Sequence, residues 1–534
     1  MIKKVRIQNY KQFDDITISF NESCNIIVGN NEAGKTSLLE AINLALTSKL
    51  YGRNIMQELS PYLFNKNLVK RYVDEIKNGN NPELPEILIE VFFDEKFEDK
   101  SFQGPNNSLG EDCCGVYLKI LFDNAYQNEY EQYKSDIEEV TTIPIEYYTY
   151  EWLSFAYGND KFTKLPLRTH LINNLEYKHN NGVDKYIASL LEYNLGETDK
   201  AILALKYRKL KEDFINDEKI KNVNDKFKKS EYKISEKEAI VSIDTSAKTS
   251  WDSTLSLYLD NIPYKFIGKG EQNAVKTKLA IKSNIQKSSL IMIEEPETSL
   301  SFTNLNKLIS DIELLCENKQ IIITTHSSFL MNKTGLDKTI LLNGNKWFPM
   351  SDLNHETYDY FRKLPGYDTL RMILAEKSIL VEGPSDELII QKAYVEKYSK
   401  LPIENKIDVI SVRGLSFKRF LDIAKIVGNN VVVVTDNDGD ITALKTKYKD
   451  YENCPNIKLC WCDDENLKTL EPNILASNDI NNLKTIFNKS TLSDKDFIEY
   501  FKNPNNKTTI ALKIFDTDKG TVNFPQYIED AITE

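Results

Sequence analysis

Three groups of residues in this 534-residue chain have the types and spacing for chemistry. The first is Gly29-Asn30-Asn31-Glu32-Ala33-Gly34-Lys35-Thr36, followed by Ser37, a full match to G-x-x-x-x-G-K-[ST]. Glycines at 29 and 34 let backbone N–H groups turn onto anionic oxygens at a helix N-terminus. Lys35 supplies a point charge for β- and γ-phosphates, and the Thr36 hydroxyl can ligate Mg²⁺. The chemistry is the holding of a nucleoside triphosphate. The second group closes two apolar runs. Glu294, after Ser289-Leu290-Ile291-Met292-Ile293, is placed to hold the Mg²⁺ shell, and Glu295 to orient or deprotonate an attacking water. His326, one of four histidines, ends the run from Gln320 where a γ-phosphate sensor would sit. The third group is Glu382, Asp386, Asp436 and Asp438. Four converging carboxylates are tolerable only around divalent cations. All-oxygen ligands select Mg²⁺ or Mn²⁺, and a pair of such ions activates a water and stabilises the leaving oxygen of a phosphodiester. The bland readings are a solvated Asp-rich turn, or a calcium loop from Asp436 to Asp440, which lacks the later glutamate that such a loop needs.

These groups need elements to hold them. Asn25 to Val28 reads as a short buried strand and Ser37 to Leu44 has helical spacing, which is the strand–loop–helix context of a phosphate cradle. Val5 to Tyr10 and Asp15 to Phe20 alternate with period two and predict an antiparallel entry into the nucleotide-binding core. Strand-like runs at Glu86 to Phe93 and Val116 to Phe122 continue that lobe. From Leu165 to Glu238 the strand signal ends, and charged runs such as Lys206 to Lys211 and Lys226 to Glu236 carry apolar residues at helical spacing. Mixed acidic and basic residues there favour a solvated helix face over a DNA-binding stripe. Beyond a linker containing Pro349 and Pro365, strands Ser378 to Glu382 and Val431 to Thr435 alternate with helices and with a basic turn at Val412-Arg413-Gly414. This pattern means a small parallel sheet with its acidic clusters at carboxyl ends of strands.

Composition narrows the class. With 41% hydrophobic and 28% charged residues the chain reads as soluble and globular, and its longest apolar run, around Val431 to Val434, is far short of the ~18 residues that span a bilayer. The alternating N-terminus lacks the apolar stretch of a signal peptide. Seven scattered cysteines suit reduced cytosolic thiols, and Cys454, Cys460 and Cys462 without a neighbouring histidine make a poor zinc site. The net charge of −12 sets solubility and leaves nucleic-acid binding open, because that depends on a local basic stripe.

The order of cradle, acidic strand and histidine strand, with the opening Ile7-Gln8-Asn9-Tyr10-Lys11-Gln12-Phe13, resembles the ABC-type ATPases, nearer to the RecF and SMC branch than to transporters. The resemblance implies a signature motif that completes a neighbour's ATP site. Its counterpart is Gly268-Lys269-Gly270-Glu271-Gln272-Asn273, opening the helix of Ala274 to Ile281, with Gly270 and Glu271 as the nucleotide contacts. Gly268 stands where the family has serine, a departure that bears on ATP turnover more than on ATP binding. Glu382-Gly383 followed by Asp436-x-Asp438 resembles the Toprim domain of topoisomerases, primases and a class of nucleases. An ABC-type ATPase followed by Toprim resembles the OLD family of endonucleases over nearly the whole chain, with further matches at Glu294 to Glu297, Tyr360 to Gly383, Leu470-Glu471, Lys507 to Leu512 and Phe524 to Ile528. The family implies metal binding by Glu382, Asp386, Asp436, Asp438 and Glu471, and makes Lys507 a cation near the scissile phosphate, with Lys513 and Lys519 close by in sequence. The segment Pro296 to Ser301 departs from the family, which usually has histidines there.

The expected fold class is α/β: an ABC-type, RecF/SMC-like P-loop ATPase domain with a helical insertion, then a Toprim α/β domain. The boundaries are 1–164 and 239–346 for the two parts of the ATPase, 165–238 for the insertion and dimerisation element, 347–371 for the linker and 372–534 for Toprim. The expected function is an ATP-regulated, metal-dependent DNA endonuclease with an anti-phage role. It is expected to act in the cytoplasm as a homodimer or larger homo-oligomer, without a membrane. ATP and Mg²⁺, or Mn²⁺ at the nuclease site, are the expected cofactors; DNA and a helicase-like or retron reverse-transcriptase partner are the expected macromolecules. Two rivals differ in class: a nucleotide-controlled DNA clamp or sensor that does not cut, and a Toprim strand-transfer or primase-like enzyme.

Overall fold

A computed structural model describes residues 1–97, 99–135, 140–156, 165, 167–172, 195–228, 257–272, 274–275, 289–315, 319–343, 345–363, 369–412 and 417–533. Parts of the expected insertion at 173–194 and 229–238, Asn273 with the signature helix from 276 onward, Pro365-Gly366-Tyr367, and Arg413-Gly414 lie outside them. The chain divides into two compact units, one of Met1–Asn25 with Gly34–Thr325, the other of Ile26–Ala33 with His326–Glu534.

In the first unit an antiparallel sheet pairs Ile2–Tyr10 with Phe13–Ser19 on one side and with Ile87–Phe93 on the other. Cys113–Phe122 continues it, flanked by Tyr148–Ser154. Within Ile2–Tyr10, Val5 and Ile7 are fully buried and alternate with the less buried Lys4, Arg6 and Gln8, the mark of a strand with one wet face, while an irregular register between Ile2 and Lys4 breaks the alternation before them. A parallel set runs Arg168–Ile172, Ser289–Glu294, Gln320–Thr325. Leu290 to Ile293 and Ile321 to Ile323 are at most 1% exposed, so these strands are covered on both faces and read in sequence as unbroken apolar runs. Arg168–Ile172 corrects the expectation that the strand signal ends at Leu165. Its five residues mix charge and apolarity and gain strand form by pairing in register with Ser289–Glu294. The described part of the insertion is otherwise helical, with Glu197–Asn216 followed by Glu218–Lys228.

In the second unit the end of Cys24–Val28 pairs parallel with Thr339–Asn343, which pairs antiparallel with Lys346–Pro349. The residues expected as a linker therefore begin in a strand and continue into the helix His355–Lys363. Farther on, a four-stranded parallel sheet has the spatial order Ile407–Ser411, Lys377–Val381, Asn430–Val434, Ile457–Cys460. The first strand in the chain thus lies between the second and the third. Such a reversal opens a crevice at the carboxyl ends of the first and third strands, where ligands of open α/β sheets bind. Helix Pro384–Tyr398 crosses from the first strand to the second and packs against Lys507–Phe515 and Gln526–Ile532. Among the described residues no helix is long and apolar enough to cross a membrane.

Candidate active site

The phosphate cradle is built by backbone that only glycine permits at two places. Gly34 has φ 105°, and a Cβ there would strike the Gln12 side chain and the Phe13 ring. At Gly29 a Cβ would strike the Leu342 carbonyl oxygen. Between them the Ala33 N–H donates to the Asn30 carbonyl at 3.1 Å, and Leu38 N–H to Gly34 carbonyl at 2.8 Å as the helix Lys35–Thr47 starts. That helix starts at Gly34 without a side-chain cap, so its first-turn N–H groups are the donors an anion meets. Asn30 Nδ2 donates to the Leu374 carbonyl at 2.9 Å, and Ser37 Oγ to Gln12 Oε1 at 3.1 Å, which ties both shoulders of the loop.

Lys35 is 6% exposed; burial lowers its pKa, and the charges of Glu295, Glu297 and Glu294 oppose the shift. Thr36 Oγ1 donates to Glu294, whose carboxyl is pushed up by burial. The lysine and hydroxyl of the cradle and the two carboxylates of the acidic strand are therefore one constellation. Glu295 follows the strand in the left-handed region, φ 40°, with its N–H on the Thr324 carbonyl at 2.9 Å. A non-glycine residue held there costs of order 1–3 kcal/mol and persists where the surroundings force it, commonly at functional sites. Glu297, which sequence placed in a departing segment, accepts from Thr325 Oγ1 at 2.7 Å. His326 follows directly on Gln320–Thr325 and is half-buried. Gly270 is half-buried and Glu271 exposed, while Gln272 turns inward, with Nε2 on the Tyr264 and Ile267 carbonyls at 3.0 and 2.8 Å.

The carboxylates of the second unit sit at the switch point of its parallel sheet. Glu382 follows Lys377–Val381 and Asp436 follows Asn430–Val434 by two residues, on neighbouring strands. Thr435 Oγ1 and the Asp436 N–H donate to Glu382 Oε1 at 2.8 and 3.2 Å. Asp386 lies in the first turn of Pro384–Tyr398 and accepts from the Gly383 N–H at 2.9 Å. Glu471, 4% exposed in the first turn of Leu470–Ser477, accepts from Thr469 Oγ1 at 3.1 Å and pairs with Lys507 Nζ at 3.5 Å. Burial pushes Asp436 up to about 8, with Glu382 and Asp386 next among the causes and Lys507 opposing. Burial likewise pushes Asp386 up to about 6 against its Gly383 hydrogen bond, with Glu382 and Glu471 adding. Each is in the field of the others, which makes Glu382, Asp386, Asp436, Glu471 and Lys507 a single charge cluster.

Asp438 stands apart. It is exposed at φ 50°, its N–H on the Lys468 carbonyl at 3.3 Å, and it is not among the charges that shift Asp386 or Asp436. The turn around it is built by Asn437, 2% exposed, whose Nδ2 donates to the Cys462 and Asp464 carbonyls at 2.7 and 2.9 Å. Asp440 caps helix Ile441–Tyr448 through the Ala443 N–H at 2.8 Å, so its carboxylate serves the helix rather than a calcium loop. Of the three lysines near the C-terminus, Lys513 bonds the Phe487 carbonyl at 3.3 Å and Lys519 the Ser399 hydroxyl at 2.8 Å, which leaves Lys507 as the one on the cluster. Sequence reasoning missed Lys468, whose side chain packs over Gly439. Among the described residues no three His, Cys, Asp or Glu side chains form a finished metal cage. The donor set is all oxygen, as a hard cation requires: four carboxylates at a sheet switch point, two of them driven toward neutrality by burial first and by neighbouring negative charge after it.

The sequence model described as AAA ATPase domain matches residues 1–331, and that of the Overcoming lysogenization defect protein-like TOPRIM domain matches residues 373–438. Endonuclease GajA of Bacillus cereus (strain VD045) is 23% identical over 468 residues, 81% of this chain and 74% of its own length. The DNA replication and repair protein RecF of Clostridium acetobutylicum is 40% identical over 58 residues, 11% of this chain and 16% of its own. Among solved structures, the C-terminal region of the Xanthomonas campestris pv. campestris OLD protein aligns at 17% identity and TM-score 0.21, covering 30% of this chain and 92% of that one.

Proposed function

The chain belongs to the AAA ATPase domain family, with an OLD-like TOPRIM domain behind it, and from that premise we propose that it is an ATP-regulated, metal-dependent DNA endonuclease. The observation that carries the reading is the cluster of Glu382, Asp386, Asp436 and Glu471 at the switch point, with Lys507 beside it. These carboxylates would hold Mg²⁺ or Mn²⁺, and Asp438, exposed on the same turn, is proposed as a fifth. When bound, such ions supply Lewis acidity to the phosphodiester and lower the pKa of a water. The chain's own residues do the rest. Thr435 and the Asp436 N–H orient Glu382, the Gly383 N–H orients Asp386, and Lys507 places a positive charge where a phosphate would otherwise meet only carboxylates.

At the other site residues 29–37 with Glu294 would hold ATP and Mg²⁺, with Lys35 and Thr36 as the charged and hydroxyl contacts. Glu295 would orient the water and His326 sense the γ-phosphate. Gly270 and Glu271 are proposed to meet the nucleotide of a neighbouring copy, in a homodimer or larger homo-oligomer joined through the insertion. An anti-phage role in the cytoplasm, with or without a helicase-like or reverse-transcriptase partner, follows from the family resemblance. GajA, a relative aligned over most of this chain, carries the name of an endonuclease, which supports cutting over a clamp that only binds.

The test is cleavage of supercoiled, linear, hairpin and single-stranded DNA by the full chain, with Mg²⁺ or Mn²⁺ over a range of ATP, and EDTA as control. Metal-dependent cutting of at least one substrate is the expected result. Binding of DNA and metal with no cutting of any of them would give the molecule to the clamp reading.

A further inference from the structure

The turn at residues 436–440 and the loop at residues 461–469 together carry six acidic residues, Asp436, Asp438, Asp440, Asp463, Asp464 and Glu465, and a single basic one, Lys468. Hydrogen bonds join the two segments into one surface. Asn437 Nδ2 reaches the Cys462 and Asp464 carbonyls, the Ile441 N–H donates to Glu465 Oε1 at 3.3 Å, and the Asp438 N–H to the Lys468 carbonyl at 3.3 Å. Lys507, the cation already placed on the cluster, lies at Glu471 instead.

The backbone that launches Lys468 is pinned at three successive carbonyls. Asn473, 4% exposed, donates through Nδ2 to the Leu467 and Thr469 carbonyls at 2.9 and 2.8 Å, and the Asp438 N–H takes the carbonyl between them. The Thr469 hydroxyl, one residue on, donates to Glu471 Oε2 at 3.1 Å, so the same strap touches the cluster. From this fixed start the exposed Lys468 side chain folds back over the turn. A Cβ built at Gly439, whose φ is 84°, would lie 2.8 Å from its Cε and 3.2 Å from its Nζ. Only a residue without a Cβ lets the lysine come so close. Among the described residues no hydrogen bond or ion pair engages the ammonium.

We infer that Lys468 is a substrate-contacting residue of the nuclease site: its ammonium binds a phosphate of the DNA strand on the Asp438 side, as Lys507 is proposed to do on the Glu471 side. The inference rests on the reading of the cluster as a nuclease site. A DNA strand carries a phosphate on every nucleotide, so a strand laid across the cluster brings negative charge beyond the bond to be cut. On the Asp438 side it would otherwise meet only carboxylates. A lysine there acts as a point charge toward phosphate and reads no base, so it serves every sequence alike. The rival role is a counterion that balances Asp438 and needs no DNA.

The experiment uses the full chain as wild type, Lys468→Met, Lys468→Arg and a control, Lys445→Met, which removes an exposed lysine from the helix Ile441–Tyr448. It measures KM and kcat in Mn²⁺ over a range of salt, on the DNA that wild type cuts best. Mn²⁺ affinity is measured by calorimetry without DNA, and unfolding is followed in EDTA. Lys468→Met should raise KM several-fold with kcat within about twofold of wild type, and should lower the slope of log KM against log salt by about one, the mark of one lost phosphate contact. Lys468→Arg should restore both, since it keeps the charge. Mn²⁺ affinity should be no weaker than that of wild type, and the melting temperature should not fall, because methionine keeps an apolar stem over Gly439. Lys445→Met should change none of these. If wild type cuts and Lys468→Met keeps its KM and salt slope, the nuclease reading stands and the inference is overturned; tighter Mn²⁺ binding alongside that result would make Lys468 a counterion only. An equal effect from Lys445→Met would trace the change to the general field of the surface and overturn it too. If wild type cuts no DNA, the nuclease reading fails and takes the inference with it.

Discussion

Lys35 and Asp436 carry opposite charges, yet burial drives both toward neutrality, the one downward and the other up to about 8. A buried charge without its counterion is costly, and in each case the counterion is the expected ligand, a phosphate for the lysine and a divalent cation for the carboxylate. The Asp436 shift has a measurable sign. In the folded, metal-free chain it holds a proton up to about pH 8, while its ordinary value is 3.8, so its stabilising contribution is complete at acid pH and is lost as pH rises from about 4 through 8. Asp386, pushed up to about 6, acts in the same direction over the lower half of that window. In EDTA the melting temperature of the wild type should therefore fall between pH 5 and 8 more steeply than that of Asp436→Asn; parallel curves would contradict the assigned burial. At the cradle, Lys35→Ala should weaken ATP binding at least several-fold. Glu295→Gln should bind ATP normally and fail to turn it over, because orienting a water matters only on the way to the transition state. Hydrolysis and binding measured side by side decide this, and equal loss of both would mark Glu295 as structural.

At the scale of elements, Asp386 has two tasks that substitution separates. Its carboxylate accepts from Gly383 at the start of Pro384–Tyr398 and contributes charge to the cluster. Asp386→Ala should lower stability by about 1 kcal/mol through the lost cap and also weaken metal binding, whereas Asp386→Asn keeps an acceptor and should lose mainly the metal. Denaturant unfolding in EDTA against Mn²⁺ titration resolves the two. The cradle, the acidic strand and the strands ahead of Glu382 and Asp436 were legible in sequence because each is local: a glycine spacing, or an apolar run ending in a carboxylate. Arg168–Ile172 was not, since its form comes from a partner more than a hundred residues away. Nor was the exposure of Asp438, which lies in a left-handed turn that the Cys462, Asp464 and Lys468 carbonyls hold from elsewhere in the fold. Lys507 is named by the family resemblance, with Lys513 and Lys519 close by in sequence, whereas its pairing with Glu471 is tertiary.

For the whole molecule, the sequence carried the order of parts further than their limits. The ATPase match ends at residue 331 and the TOPRIM match begins at 373, while the second compact unit gathers residues 26–33 because Thr339–Asn343 pairs with Ile26 to Val28. A boundary drawn in chain order cannot express a strand pairing of that kind. The proposed function divides more simply: one carboxylate group is proposed to serve a nucleotide and the other a phosphodiester, so each should be removable without the other. The most direct measurement compares wild type with Asp436→Ala, assaying DNA cleavage in Mg²⁺ or Mn²⁺ and ATP affinity on the same preparations. The account predicts that cleavage falls to the level of the EDTA control while ATP affinity stays within about twofold of wild type, because a lost anionic ligand is not replaced by water at such a site. Cleavage by Asp436→Ala at the wild-type rate would contradict it and move the active site away from the TOPRIM carboxylates.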